Sequence, residues 1–538
     1  MDDKGRPILK NKAYLYMTEF FSGMSVMAVE LGASRLLAPY FSSSQIVWTI
    51  IIGTIMIAMA LGNIYGGRKA DKDPNPDKLY FRILIAAIWI ALIPVLGKYI
   101  VVLIAGIIIF SVNSNYLVIA GFVTCMIVFV FPLFLLGTVT PSLVKCAVDN
   151  LDDSGKTVGK LNAYNTIGSI IGTFVPTFIS IPTVGTSITF LIFAGILMLL
   201  AIIYFLSGNK KKLPVRAIIA VIIFILGCIF GHSTSFAFWE DNLTYEGESI
   251  YNYLQVSENE KDVRLSTNVL FGVQSVYMKE KQLTGMYYDY ALAAPYMCDI
   301  KKKDKLDVLI LGMGTGTYAT SCNRYFDNVS VKGVEIDEKI TKLSREYFGL
   351  DDNVQVVTYD GRAYLNASKE KFDLIMVDAY QDITIPFQMS SVEFFTLVKE
   401  HLNDNGVMVV NMNMKSTTEG NITQYLSDTI AKVFSNNYCV DVEYNSNREM
   451  FASDNPDMLK VFEENVMLED NEELVNMMNK VSNGLIKYNG GNYIMTDDKA
   501  PVELLGMKVI DELITDEVTY YKDIYDKEGI NGILNMIR

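Results

Sequence analysis

The chain has two histidines, His232 and His401, and six cysteines, at positions 125, 146, 228, 298, 322 and 439, with no CxxC pair. Zinc centres draw on clustered Cys and His, so this inventory argues against one and no metal is expected. The scatter of the cysteines gives no disulfide framework. A basic surface is also missing from the second half. After residue 232 there are 28 Lys and Arg against 50 Asp and Glu, a net of −22. Binding to a phosphate backbone needs the opposite charge, so no nucleic-acid partner is expected. The acidity suits small cationic ligands, and it equally suits the plain solubility of a domain. Residues 1–232 reverse the sign, with 18 basic and 10 acidic residues. The opening MDDKGRPILKNK is polar and the apolar run behind it is long, so no cleaved signal peptide is read.

What the first 232 residues do have is apolar length. The chain is 51% hydrophobic with mean hydropathy +0.25, and a bilayer crossing takes about 20 mainly apolar residues. Candidate spans are 14–38, 46–66, 80–97, 115–138, 161–181, 187–206 and 215–231, with 98–112 as a short eighth crossing or part of a broken one. Basic residues cluster in 4–12, 68–78, 145–160 and 210–216. With seven spans all four clusters share the cytoplasmic side and the C-terminal half falls outside. With eight it falls inside, and 145–160 moves out. Glu19 and Glu30 lie in the first span, where a carboxylate usually faces a partner or a cavity. GSIIG at 168–172 puts two glycines on one helical face, a device for close helix packing.

The second half reads differently. Phe236–Glu248 has the character of a linker, and alternating runs at 251–256, 263–266 and 273–278 predict a small β domain. From Asp307 onward the order is strand, glycine turn, helix, strand, acid, helix, strand, Asp-Gly, helix, strand, Asp. That is the layout of a nucleotide-binding α/β sheet. GMGTGT at 312–317 supplies Gly312, Gly314 and Gly316 for a tight turn and close approach to a ligand. Glu335 ends the next strand, 21 residues past Gly314, near the spacing at which an acid holds both ribose hydroxyls. Asp337 is the better candidate to cap the helix that follows. Asp360 and Gly361 come after VQVVTY, where a carboxylate can accept an adenine amino group and glycine leaves room for the ring. Asp378 ends the apolar strand FDLIMVD, at the strand end over which open α/β sheets bind ligands. We read three regions: a helical membrane domain at 1–232, a linker and small β domain at 233–300, and an α/β domain at 301–538.

These residues resemble the spermidine synthase (polyamine aminopropyltransferase) family, and in particular its membrane-fused branch. The resemblance rests on ELGASRLLAPYF, ALGNIYGGRKAD, LLGTVTPSL and AYNTIGSIIGT in the first half. In the second it rests on GVQSVY, LTGMYYDYALAAP, VEID, YDGRAYL, VDAYQDITIPFQMSSVEFF and MTDDKAPVELL. It implies a multi-pass α-helical membrane domain, a small β domain and a Rossmann-like (class I methyltransferase-like) α/β domain. By position it implies that Gln274 contacts the donor, that Glu335 binds ribose, that Asp360 and Gly361 bind adenine, and that Asp378 is catalytic. Tyr288 and Asp289 take the place of a His-Glu pair near the acceptor. Thr315 replaces an aspartate of the glycine loop that holds the donor's amine tail. Gln381 stands at a second catalytic-loop aspartate, with Asp382 one residue later.

The implied reaction moves an aminopropyl group from decarboxylated S-adenosylmethionine, a co-substrate, to a di- or polyamine, with no permanently bound cofactor. Attack needs a neutral amine, whereas a free primary amine near pKa 10 is mostly charged. A carboxylate at the centre can take the proton, and Asp378 is the candidate. Asp289, Asp382, Asp497 and Asp498 are candidates for the remote ammonium. Two alternatives remain open: an S-adenosylmethionine-dependent methyltransferase, which Thr315 favours, and a polyamine or cation transporter or sensor with a nucleoside-binding domain, which Glu19 and Glu30 favour. The expected setting is the cell membrane, with the lipid bilayer as a partner. The catalytic domain is expected on the cytoplasmic side, where a sulfonium nucleotide would be found. A homo-oligomer is left open.

Overall fold

The computed structural model of the protein describes residues 7–41, 44–112, 114–148, 154–208, 214–232, 235–240, 243–269, 272–379, 385–413, 415–416 and 418–537. The chain divides into two compact units, one of Met1–Trp239 with Glu246–Tyr253 and one of Glu240–Tyr245 with Leu254–Arg538.

The first unit is helical. Among the described residues, five helices are long and apolar enough to cross a membrane: Lys12–Phe41, Gln45–Lys72, Pro76–Ile109, Val130–Ala147 and the continuous stretch Ser154–Leu206. Tyr116–Val128 and Val215–Phe230 are shorter apolar helices. The expected division between 80–97 and 98–112 is absent, because Pro76–Ser111 forms one helix with only Gly97 at the junction. The expected span 115–138 is instead broken at Phe129 and Thr138. Ile52, Met56, Ile57, Leu61 and Ile64 stay exposed along Gln45–Lys72, as do Ile218, Ile222, Ile225 and Ile229 along Val215–Phe230. Apolar rows of this size on a finished fold face lipid more readily than water. The paired glycines behave as their spacing predicts. A Cβ on Gly168 would lie 2.0 Å from the Phe20 carbonyl oxygen, and one on Gly172 would lie 2.1 Å from that of Met24. Glu19 is fully buried in this unit, accepting hydrogen bonds from Thr140 (2.5 Å) and Asn165 (2.7 Å).

The second half of the chain carries a four-stranded sheet in the order β1-β2-β3-β4: β1 (Leu243–Glu248), β2 (Tyr253–Glu258), β3 (Asp262–Ser266) and β4 (Ser275–Met278). β1 falls inside the segment that reads as a linker. LTYEGE is polar at half its positions, and as an edge strand it buries little, so hydrophobic alternation gives it away only weakly.

An eight-stranded sheet follows: β5 (Leu306–Leu311), β6 (Val329–Glu335), β7 (Gln355–Thr358), β8 (Phe372–Val377), β9 (Leu402–Met412), β10 (Asn436–Asp441), β11 (Arg448–Ser453) and β12 (Ile486–Lys487). Its order is β12-β10-β11-β9-β8-β5-β6-β7. β5 to β9 run parallel, and β10 to β12 join antiparallel. The parallel strands are buried on both faces, which is why LDVLIL and FDLIMV are nearly continuous apolar runs. From β5 the chain steps outward through β6 to β7, then returns to place β8 on the other side of β5. That reversal opens a crevice at the carboxyl ends of β5 and β8.

Candidate active site

The crevice is built by the glycine turn after β5. Gly312 has φ +80°, and a Cβ there would lie 2.5 Å from the Ala379 Cα and 2.7 Å from the Asp378 carbonyl oxygen. Only glycine lets β5 and β8 end so close together. The Gly312 amide donates to the Val334 carbonyl (2.9 Å) and the Asp378 amide to the Leu311 carbonyl (2.9 Å), tying three strand ends together. Strand β4 is stitched to the turn. Ser275 Oγ accepts from the Thr315 amide at 3.2 Å, and Thr317 Oγ1 bonds both the amide and the carbonyl of Val276. Gln274 is thereby held beside the glycine loop, with its carbonyl accepting from the Tyr288 hydroxyl at 2.7 Å. The Thr315 hydroxyl is buried in the turn with no hydrogen-bond partner among the described residues.

Glu335 ends β6 as the spacing predicts. Its Oε2 accepts from the Gly314 amide at 2.8 Å and its Oε1 from the Asp337 amide at 3.0 Å. Burial pushes its carboxyl up to about 7, against those amide bonds, which pull it down. Asp337 caps Glu338–Tyr347, which leaves Glu335 free of that duty. Asp360 caps the helix Gly361–Ala367 through its Oδ1, which accepts from the Ala363 amide at 2.8 Å. A Cβ on Gly361 would meet only the flexible end of Met389 within 3.4 Å.

Asp378 lies one residue past β8. Its Oδ2 accepts from the Tyr287 hydroxyl at 2.8 Å and its Oδ1 from Asn411 Nδ2 at 2.9 Å. Asn411 Oδ1 in turn accepts from Asn447 Nδ2 at 2.7 Å. Burial pushes the Asp378 carboxyl up to about 7, the two hydrogen bonds oppose the rise, and the charge of Glu335 adds to it. A carboxylate held in place and titrating near neutrality is matched to proton transfer.

Of the acceptor candidates, Tyr288 is buried with its ring 3.9 Å from that of Tyr287, and its neighbour Tyr287 is the one that reaches Asp378. Asp289 turns toward its own loop, accepting from the Thr284 amide and hydroxyl (2.9 and 2.8 Å) and the Gly285 amide (2.7 Å). Asp497 is engaged by Arg362 at 2.7 and 2.6 Å and by Ser391 at 2.5 Å. Asp498 is exposed. Gln381 and Asp382 lie outside the described residues. Sequence reasoning missed Tyr287, Asn411 and Glu449. Each had a faint signal: a second tyrosine in YYDY, an Asn inside the apolar strand GVMVVNM, and a Glu beside the apolar run MFA in REMFAS.

Residues 287–457 match the spermine/spermidine synthase domain. Over 354 residues, 63% of this chain and 78% of the relative, the sequence is 50% identical to a probable polyamine aminopropyl transferase of Bifidobacterium longum. The chain belongs to the polyamine aminopropyltransferase (spermidine synthase) family. A polyamine aminopropyltransferase of Oceanobacillus iheyensis is 26% identical over 295 residues, 51% of this chain and 56% of that protein. The crystal structure of a probable spermidine synthase from Corynebacterium glutamicum aligns with TM-score 0.36 at 17% identity, covering 46% of this chain and 98% of that one. In this aminopropyltransferase the matched region begins at Tyr287 and runs through Glu335, Asp378, Asn411 and Glu449.

Proposed function

We propose that the protein is a membrane-embedded enzyme that transfers the aminopropyl group of decarboxylated S-adenosylmethionine to a di- or polyamine, with Asp378 as the base. The observation that carries this reading is the position of Asp378. It is a buried carboxylate at the switch point, oriented by Tyr287 and Asn411, one strand from the glycine turn and two from Glu335. Glu335 holds the ribose hydroxyls and Asp360 with Gly361 the adenine, while Gln274 and the Thr315 hydroxyl line the path of the donor's tail.

The acceptor's ammonium gives its proton to Asp378, and the freed nitrogen lone pair attacks the carbon beside the sulfonium. The C–N bond forms as the C–S bond breaks, and the departing electron pair turns sulfonium into the neutral thioether of methylthioadenosine. The oriented carboxylate supplies proton acceptance and alignment together. The catalytic unit works on the cytoplasmic side, where such a donor is available. Protease protection in sealed vesicles of known orientation tests that placement.

The direct test uses the full chain in detergent, offered decarboxylated S-adenosylmethionine and S-adenosylmethionine separately, each with a panel of di- and polyamines. Methylthioadenosine with a lengthened amine is expected from the first donor. S-adenosylhomocysteine with a methylated amine from the second would overturn the reading.

A further inference from the structure

Glu449 is fully buried, and neither of its carboxylate oxygens has a hydrogen-bond partner among the described residues. An ionised carboxylate left so is costly, so a buried acid without partners either keeps its proton or is paired by something that arrives. Its place in the sheet shows what that is. β11 runs antiparallel to β9 with Glu449 opposite Asn411, at the end of the sheet where the parallel strands finish. Side chains alternate along each strand, so Val407, Val409 and Asn411 share a face with Leu374, Met376 and Asp378 on β8 and with Asn447, Glu449 and Phe451 on β11. The apolar members of these rows pack in one cluster with Tyr287 and Tyr290. Asp378, Asn411 and Glu449 therefore form a row across three neighbouring strands under the helix Tyr287–Ala291. Asn411 makes no hydrogen bond to Glu449: its Nδ2 donates to Asp378 and its Oδ1 accepts from Asn447.

The direction of this row matters. Running across the sheet, Glu335 is on β6, the glycine turn follows β5, Asp378 follows β8, and Glu449 is on β11. The nucleoside end lies on one side of Asp378 and Glu449 on the other, two strand spacings away, about 10 Å. Building on the aminopropyl-transfer reading, we infer that Glu449 is the subsite for the distal ammonium of the acceptor amine, the end that does not react. A diamine whose near nitrogen meets Asp378 would bring its far nitrogen to Glu449, the buried carboxylate beyond it among the described residues. The apolar walls of the same cluster would take the methylene chain. Burial and the nearby charge of Asp378 push the Glu449 carboxyl up, so the empty site favours the neutral acid and an arriving ammonium favours the ion. The exposed or already paired acids Asp498, Asp497 and Asp289 offer no such site.

The test compares wild type, Glu449→Gln and Glu449→Leu in the full chain. The acceptors are a series of α,ω-diamines of increasing length and the monoamines of matched length, with decarboxylated S-adenosylmethionine as donor. Aminopropyl transfer by the wild type checks the underlying reading independently, and methylthioadenosine binding checks that each variant is folded. Within an active wild type, Glu449→Gln is expected to raise the KM for the best diamine by about 10- to 100-fold, the range for a lost charged hydrogen bond. The KM for the donor should stay unchanged, and so should turnover of the matched monoamine. Glu449→Leu should bring monoamine and diamine close to equal. An unchanged diamine preference in both variants would overturn the assignment, and so would a rise confined to the donor's KM, which would give Glu449 to the donor's amine tail instead.

Discussion

Replacing Asp378 by Asn keeps the shape of the site and removes its base. The amide oxygen can still accept from Asn411, and the amide nitrogen can donate to the Tyr287 hydroxyl, which is able to accept as well as donate. Packing and the strand ends are therefore preserved while proton acceptance is lost, and general-base assistance accounts for about 10² to 10⁴ in rate. We expect kcat to fall within that range and methylthioadenosine affinity to change by less than about threefold. The stability effect runs the other way. Burial pushes the Asp378 carboxyl up to about 7, well above the ordinary aspartate range. At pH 3 both folded and unfolded chains carry the proton and there is no penalty. Between pH 4 and 7 the unfolded chain releases its proton and the folded chain does not, so native stability declines. Above pH 7 the loss is complete, at no more than about 4 kcal/mol. Asp378→Asn removes this loss, so its thermal midpoint in detergent should exceed that of wild type at pH 8 and converge with it near pH 4. Turnover within tenfold of wild type would refute the assignment of Asp378 as the base. A variant less stable than wild type at pH 8 would refute the claim that its carboxyl is strained by burial.

Tyr287→Phe removes a hydrogen bond that favours the charged form of Asp378. The acidic limb of the kcat profile should shift to higher pH while the alkaline plateau stays within a few-fold; an unshifted limb would show that the contact does not tune the base. Glu335→Gln should weaken methylthioadenosine binding by about 10- to 100-fold. Because burial pushes the Glu335 carboxyl up to about 7, wild-type affinity should decline as pH falls through 7 and the variant's should not; equal pH dependence in calorimetric titrations would remove Glu335 from the ribose site.

Much of this site was readable because it is local. A strand that is apolar on both faces announces itself, and the acid at its end needs no tertiary information, which is why the strand-end positions of Glu335 and Asp378 are legible in the sequence. Gly312 carries its own reason, since β5 and β8 cannot finish side by side with a Cβ between them. What escaped is what depends on register. Tyr287 and Tyr288 are adjacent in a helix of five residues, too short for periodicity to say which faces the crevice, and the structure gives the contact to Tyr287. Asn411 was hidden inside a strand whose apolar neighbours set its character. Glu449 is on an antiparallel strand 71 residues past Asp378, and only the pairing of β11 with β9 brings it into the row.

The same distinction explains why the acids that stand out in the sequence differ from Glu449, the one proposed for the acceptor. Asp289 lies in LTGMYYDYALAAP and Asp497 and Asp498 lie in MTDDKAPVELL, where acidic character is easy to see. In the fold, Asp289 closes a turn and Asp497 anchors Arg362, each with its oxygens already engaged. A carboxylate that serves structure is surrounded by donors supplied by the chain itself. A buried carboxylate left without such donors is open to a cationic partner, and among the described acids of this sheet Glu449 is the one so left. Residue type alone does not separate the two kinds of carboxylate, because the difference is the supply of donors around each, and that supply is set by strand pairing.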